Sequence, residues 1–277
     1  MSGGASSVDV LGVRFHALSR EAAAEAVVEL ARSGGQHYVV KPYSEFMPPA
    51  HEDEKLRDVL NGASICLADG TGILWAAHYL SGRGGGIGAL LAFPASLLAL
   101  VTNSPALRKP LPQAMRGVDF TWTMLEALAQ SGLSVFLLGG TVEEVEGARD
   151  RIRERLPALH IRGVHPGHFN VTGKENERVL EAVNVVSPDV LLVGMGFPRQ
   201  ERWIAANLAS LSPRVAVAEG GSFSFISGAT PRAPDWMRRS GMEWLYRLGR
   251  QPGRVKRQLA IPRFVWLVLR ERMTRRA

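Results

Sequence analysis

The chain has 277 residues, 46% of them apolar, which is enough for one large α/β domain or two small ones with a sizeable core. Its single cysteine, Cys66, excludes an intrachain disulfide and favours a cytoplasmic home. The formal charge of +7 is unevenly spread: from Arg232 onward 13 Lys/Arg face three acids, so this stretch carries a net +10 and residues 1–231 a net −3. Such a basic stretch seeks phosphate, in nucleic acid, an anionic lipid or a diphosphate.

Residues 1–8 are small and polar, with no basic segment leading into an apolar one, so no signal peptide is expected. Helix-period segments then alternate with strand-like apolar runs. Helix 20–33 precedes strand 37–41, helix 52–61 precedes strand 64–68, and helix 72–80 follows. Beyond residue 112 come helix 120–130, strand 134–138, helix 142–156, strand 161–164, helix 174–186, strand 190–194, helix 200–208 and strand 215–219. This alternation predicts a mostly parallel sheet with helices on both faces. Ligands bind such sheets beyond the carboxyl ends of the strands. Five of the six predicted strands end there in turn residues: Asp69-Gly70, Gly139-Gly140, Gly163, Gly194 and Gly220-Gly221.

Two segments break the rhythm. Residues 82–112 read as an insertion: a glycine-rich loop, an apolar run at 87–101, and a basic, proline-rich stretch. At 15 residues the run is short of the roughly 20 needed to span a bilayer. It suits an interfacial piece, a re-entrant piece or a core helix. Residues 231–277 interleave Trp236, Trp244, Tyr246, Phe264 and Trp266 with arginines. The apolar run 264–269 among these arginines suits an anionic membrane interface. Each basic residue near such a surface contributes about 1 kcal/mol. A solvated charged helix and nucleic-acid binding are the alternatives, and the tryptophans favour membrane.

Ala68-Asp69-Gly70-Thr71-Gly72 sets a carboxylate between a buried strand and a helix, where it can act as general base or cap the helix. Gly194-Met195-Gly196-Phe197-Pro198-Arg199-Gln200-Glu201 is a strand-to-helix loop suited to close approach of a phosphate. Arg199 is available there for a charge-assisted contact. A tight turn is the alternative. The loop lacks the third glycine of a dinucleotide fingerprint and the Lys-Ser/Thr of a P-loop. Glu219-Gly220-Gly221-Ser222 and Gly139-Gly140 repeat the pattern, with Glu219 or Ser222 available to a ribose or sugar hydroxyl. The close pair His165/His168 lies in a turn without flanking ligands, so no metal site is expected. No Gly-x-Ser-x-Gly elbow is present.

These residues resemble the WecG/TagA/CpsF family of bacterial glycosyltransferases. The likeness is carried by Ala68-Asp69-Gly70-Thr71-Gly72, Arg116-Gly117-Val118-Asp119, Leu137-Leu138-Gly139-Gly140, Pro188-Asp189, the run Gly194 to Trp203, Gly220-Gly221-Ser222-Phe223, Arg232-Ala233-Pro234-Asp235-Trp236 and Gly241 to Leu248. It covers residues 8–257, interrupted at 82–112. The resemblance implies a Rossmann-like α/β core (residues 1–230) and a basic, helical, membrane-proximal appendage (231–277). It implies inverting transfer of a sugar, often of N-acetylmannosamine type, from a UDP donor to a polyprenyl-diphosphate-linked sugar, without a metal or other cofactor. Asp69 maps to the general base, and Arg232, Arg247 and Arg254 map to a diphosphate clamp. The remaining substrate contacts fall on Arg116, Asp119, Gly139, Gly140, Gly194, Gly196, Pro198, Arg199, Gln200, Glu201, Gly220, Gly221 and Ser222. The family's usual Thr and Asn near the sugar align with Lys41 and Tyr43, so Lys41 is expected to meet a phosphate or an acidic sugar such as a uronate.

The expected partners are therefore the UDP-sugar, the lipid-linked acceptor, an anionic membrane surface and a second copy of the chain as homo-oligomer, but no nucleic acid. The expected location is cytoplasmic, peripheral on the inner face of the membrane, in cell-surface polysaccharide synthesis. The alternatives are a nucleotide-binding oxidoreductase on a similar sheet, a non-catalytic membrane or RNA adaptor, and a family member that lost activity through the changes at 41 and 43.

Overall fold

The computed structural model describes residues 6–231, 234 and 259–275. Arg232, Arg247 and Arg254 lie outside these residues. Six short apolar segments become parallel strands: β3 (His37–Val40), β4 (Ile65–Cys66), β5 (Ser134–Gly139), β6 (His160–His165), β7 (Val190–Gly194) and β8 (Val215–Ala218). They hydrogen-bond in the order β4-β3-β8-β7-β5-β6, every pairing parallel. The expected α/β sheet is therefore present.

Alternation along each strand divides the core in two. Val39, Ile65, Val135, Leu137, Leu192 and Val217 face one layer, which holds helices α1 (Arg20–Arg32), α6 (Gly117–Gln130), α7 (Val142–Arg155) and the short α10 (Ser222–Ile226). Val40, Cys66, Leu138, Leu191, Val193 and Ala218 face the other. There lie α2 (Met47–Glu52), α3 (Glu54–Asn61), α4 (Thr71–Ser81), α8 (Gly173–Val186), α9 (Arg199–Asn207) and a C-terminal helix, Ala260–Thr274. Local chemistry sets the helix starts. Ser19 caps α1 through the Ala22 amide, and Thr141 with Glu144 forms a capping box on α7. The predicted helix 52–61 is α3, which begins only at Glu54 because Asp53 adopts extended backbone and caps it through the Leu56 amide, while the preceding α2 ends at Glu52.

An antiparallel hairpin, β1 (Ser7–Val10) and β2 (Val13–His16), was not expected from the sequence. It braces the β4 edge, where the Cys66 amide donates to His16 Nδ1 at 3.0 Å. Burial holds the His16 imidazole below its ordinary range, in keeping with a ring nitrogen that accepts.

The interruption at 82–112 contains a helix, α5 (Gly86–Val101), which packs on α4 and on the C-terminal helix. The apolar run 264–269 does not face outward as expected. Phe264, Val268 and Leu269 are buried, and Phe264 lies edge-on to Trp75 of α4. Arg272 is buried too, stacked on Tyr79 at 4.3 Å and donating to the Arg83 carbonyl at 3.2 Å. Amphipathic packing against α4 outweighs the interfacial reading of this run. Trp266 alone of its aromatic residues is exposed.

Candidate functional site

The parallel strands bring the predicted turn motifs to one edge of the sheet, except Gly163, which lies inside β6 against the Phe136 ring because that strand continues to His165. Along it run Asp69 after β4, Lys41 and Tyr43 after β3, Glu219-Gly220-Gly221 after β8, Gly194 and Gly196 after β7, and Gly139-Gly140 after β5. The chain leaves β3 toward β4 and leaves β5 toward β6, so connections diverge between them, which is where ligands enter such sheets.

The glycine half is built by close backbone approach. A Cβ on Gly139 would collide with the Gly194 backbone, and one on Gly194 would lie 2.8 Å from the Phe223 ring and 3.0 Å from the Gly220 carbonyl. The Gly140 amide donates to Gly194 O at 3.0 Å. Gln200 ties the next pair of loops together: its Oε1 accepts from the amides of Gly196 at 3.1 Å and Gly220 at 3.0 Å. These loops line a cavity of about 190 Å³ with Gly140, Glu144, Gly194, Gly196, Gly220, Gly221, Phe223 and Ser224. Glu144 brings a carboxylate to its wall, but that group already accepts from the Thr141 amide and from Ser224 Oγ. A larger open depression of about 640 Å³ lies elsewhere, at the start of β6 among Arg153, Pro157, His160 and Arg162. It is at the opposite end of the strands and meets none of the motifs.

The other half is built of side chains. Asp69 is 4% exposed, and its Oδ2 lies 3.5 Å from the point where a Cβ on Gly117 would stand. Tyr43 Oη lies 3.6 Å from the same point. Carboxylate and phenol thus flank the first residue of α6, whose N-cap is Arg116 and whose first turn carries Asp119. The N-cap of α4 is Gly70, with φ of 85°, so Asp69 stands one residue outside the capping position. Tyr43 leans edge-on against Phe46, which stacks on Phe197 of the β7–α9 loop at 3.8 Å.

Between the halves, Lys41 Nζ pairs with Glu219 Oε2 at 2.9 Å, both side chains buried. Thr121 and Ser222 hydroxyls donate to the same oxygen at 2.5 and 2.9 Å. The charge of Lys41 is therefore met inside the protein, and the expectation of a cation offered directly to a phosphate or uronate gives way to a buried ion pair. Arg199 is likewise engaged. It donates to the carbonyls of Gly167 and Phe169, fastening the β6–α8 loop to α9. Glu201 is buried beside Gln200, which donates to its Oε1 at 2.9 Å, while Oε2 has no hydrogen-bond partner among the described residues. Burial pushes its carboxyl up to about 7.

Thr121, Phe46 and Glu144 were not singled out from sequence. Thr121 and Phe46 carry no motif and reach the site only through tertiary packing. Glu144 did have a signal, the Thr141-x-x-Glu144 capping box. Among the described residues no group of three or more His, Cys, Asp or Glu is arranged to hold a metal ion.

The profile of the glycosyl transferase WecG/TagA/CpsF family matches residues 8–88 and 96–277. The match breaks only at 89–95, inside α5, and continues past residue 257 through the C-terminal helix. Among curated proteins, the N-acetylglucosaminyldiphosphoundecaprenol N-acetyl-beta-D-mannosaminyltransferases of Staphylococcus aureus strains MW2 and NCTC 8325 are each 28% identical over 263 residues. Each match covers 94% of this chain and 91% of the relative.

Proposed function

The chain belongs to the WecG/TagA/CpsF family of glycosyl transferases, and we propose that it moves an N-acetylmannosamine-type sugar from a UDP donor to a polyprenyl-diphosphate-linked N-acetylglucosamine, with inversion. The observation that carries this reading is the shared sheet edge, which holds the covered carboxylate of Asp69 at one end and a glycine-walled cavity at the other. Three strand spacings separate Asp69 from Gly194, roughly 14 Å. The printed name of the Staphylococcus aureus relatives supports the same sugar and acceptor class.

In the proposed step, the Asp69 carboxylate takes the proton of the acceptor hydroxyl. The freed oxygen bonds to C1 of the donor sugar from the face opposite UDP. The C1–O bond breaks, and its electron pair leaves with the β-phosphate of UDP. Charge on that phosphate would be met by other amides of the Gly194–Gly196 and Gly220-Gly221 loops, since those of Gly140, Thr141, Gly196 and Gly220 are bonded within the protein, in a site where water is partly excluded. Arg116 and the arginines at 232, 247 and 254 are the cationic candidates, and no metal is required by the step. The Lys41–Glu219 pair and Gln200 would hold the two halves in register, and Tyr43 would flank the acceptor beside Asp69. The protein would work cytoplasmically at the inner face of the membrane, in cell-surface polysaccharide synthesis.

A thermal-shift panel of UDP-, GDP- and nicotinamide nucleotides tests the donor class, since a ligand that binds only the folded state raises the melting temperature. A shift with UDP-N-acetylmannosamine, followed by β-linked product from that donor in the presence of a chelator, is the expected result. A shift with NAD and none with any UDP-sugar would support the oxidoreductase reading instead.

A further inference from the structure

We propose that the outward face of α5 is a lipid-docking surface that seats the protein in the headgroup region of an anionic bilayer. The pattern of exposure is the first argument. Ile87, Leu91, Pro94, Leu98 and Val101 recur at intervals of four and three, which puts them on one helical stripe, and all are exposed, as is the neighbouring Leu90. Ile87, Leu91 and Val101 are each more than three-quarters exposed. The inward face is held by specific contacts. Ala89 O accepts from Tyr79 Oη at 2.7 Å, and Ser96 Oγ accepts from Trp75 Nε1 at 3.2 Å. The helix is therefore docked on one side and apolar on the other, where a water-facing helix carries polar residues. The stripe is about 21 Å long at 1.5 Å per residue.

Charge identifies the occupant. No acidic residue lies between Asp69 and Asp119, whereas Arg83, Arg108 and Lys109 are exposed at the two ends of the segment. An apolar stripe bracketed by cations fits the boundary between acyl chains and anionic headgroups, where such helices sit about 5–10 Å deep. No helix among the described residues is long and apolar enough to cross a membrane, so the fit is to one leaflet. Direction matters too. The contacts of Tyr79 with Ala89 and of Trp75 with Ser96 run α5 antiparallel to α4, back toward the sheet edge that carries Asp69. A lipid surface along α5 would thus lead to that end of the crevice. The purpose of the docking rests on the lipid-linked acceptor proposed above, but the docking itself does not need it.

The test is sedimentation of the full-length protein with vesicles of equimolar phosphatidylcholine and phosphatidylglycerol, without substrates. The wild type is compared with Leu91→Glu/Leu98→Glu, whose melting temperature and UDP-induced shift show that the fold is kept. The double variant should partition at least roughly tenfold more weakly, because burial of one leucine side chain is already worth about that factor. It should convert a water-soluble, short-chain acceptor at the wild-type rate. A second variant, Val101→Trp, should show a blue-shifted emission on vesicle addition and quenching by brominated lipid. Equal partitioning of wild type and double variant, or an unshifted Trp, overturns the proposal. So does a wild-type dimer that the double variant splits while vesicle binding stays the same, which would make the face a contact between copies. Vesicle binding as expected with no conversion of any polyprenyl-linked acceptor would overturn the acceptor reading and leave the docking surface standing.

Discussion

The two halves of the crevice are built of different material. At the β5–β7–β8 end the wall is backbone: glycines so close that no Cβ fits at 139 or 194, with Gln200 fastening the amides of Gly196 and Gly220. At the β3–β4 end the wall is side chain: Asp69, Tyr43 and, between the halves, the buried Lys41–Glu219 pair. Backbone amides suit a group common to many substrates, such as a diphosphate, and side chains suit the part that varies or reacts. Changes in the first half should therefore act on stability and donor affinity, and changes in the second on turnover and on the electrostatics of the core.

The largest stability effect is expected at the junction. Lys41→Met leaves Glu219 charged in a buried site, which costs about 3–5 kcal/mol, read by denaturant unfolding. Adding Glu219→Gln should recover much of that loss, and a double variant no more stable than the single would contradict the pair. Next comes Glu201, whose carboxyl is raised to about 7 by burial. A raised acid binds its proton more tightly folded than unfolded, so wild-type stability should fall as pH climbs from 4.5 through 7 and then level off. Glu201→Gln removes this titration. Its advantage in melting temperature over wild type should be larger at about pH 8 than at about pH 5, with a swing on the order of 3 kcal/mol at full ionisation. Gly194→Ala should cost about 1–3 kcal/mol by forcing a methyl against Phe223 and the Gly220 carbonyl. The smallest effect is expected at Gly221, where φ is −92° and nothing lies within 4 Å of an added Cβ. Gly221→Ala should change stability by no more than about 0.5 kcal/mol while altering UDP affinity at the cavity rim.

What was legible in the sequence followed from local physics. The central strands β5, β7 and β8 are buried apolar runs followed by glycines, so their existence and the edge they share could be read directly, whereas β6 is largely uncovered and less apolar. The β1–β2 hairpin could not. Its turn is Leu11-Gly12, with φ of 54° and 83°, and the leucine lacks the Asn-Gly or Asp-Gly signature of such turns. Lys41 and Glu219 are 178 residues apart, and their pairing depends on β3 lying beside β8, an order no local pattern encodes. Two apolar stretches of similar composition also went opposite ways. The run in the C-terminal helix faces Trp75, while α5 turns its stripe outward. Which face a helix buries is decided by the neighbours it meets, and those come from the rest of the chain. The motif residues were readable as a set, but their engagement, as with Arg199 held by two loop carbonyls, was not.

The account stands on Asp69 as the reacting base and on the glycine loops as an independent donor site. The most direct measurement pairs turnover with UDP affinity in Asp69→Asn, a nearly isosteric change that removes the base but keeps a hydrogen-bonding group. The expected result is a loss of about 10²–10⁴ in turnover with UDP affinity essentially unchanged. Wild-type turnover in that variant would contradict the account.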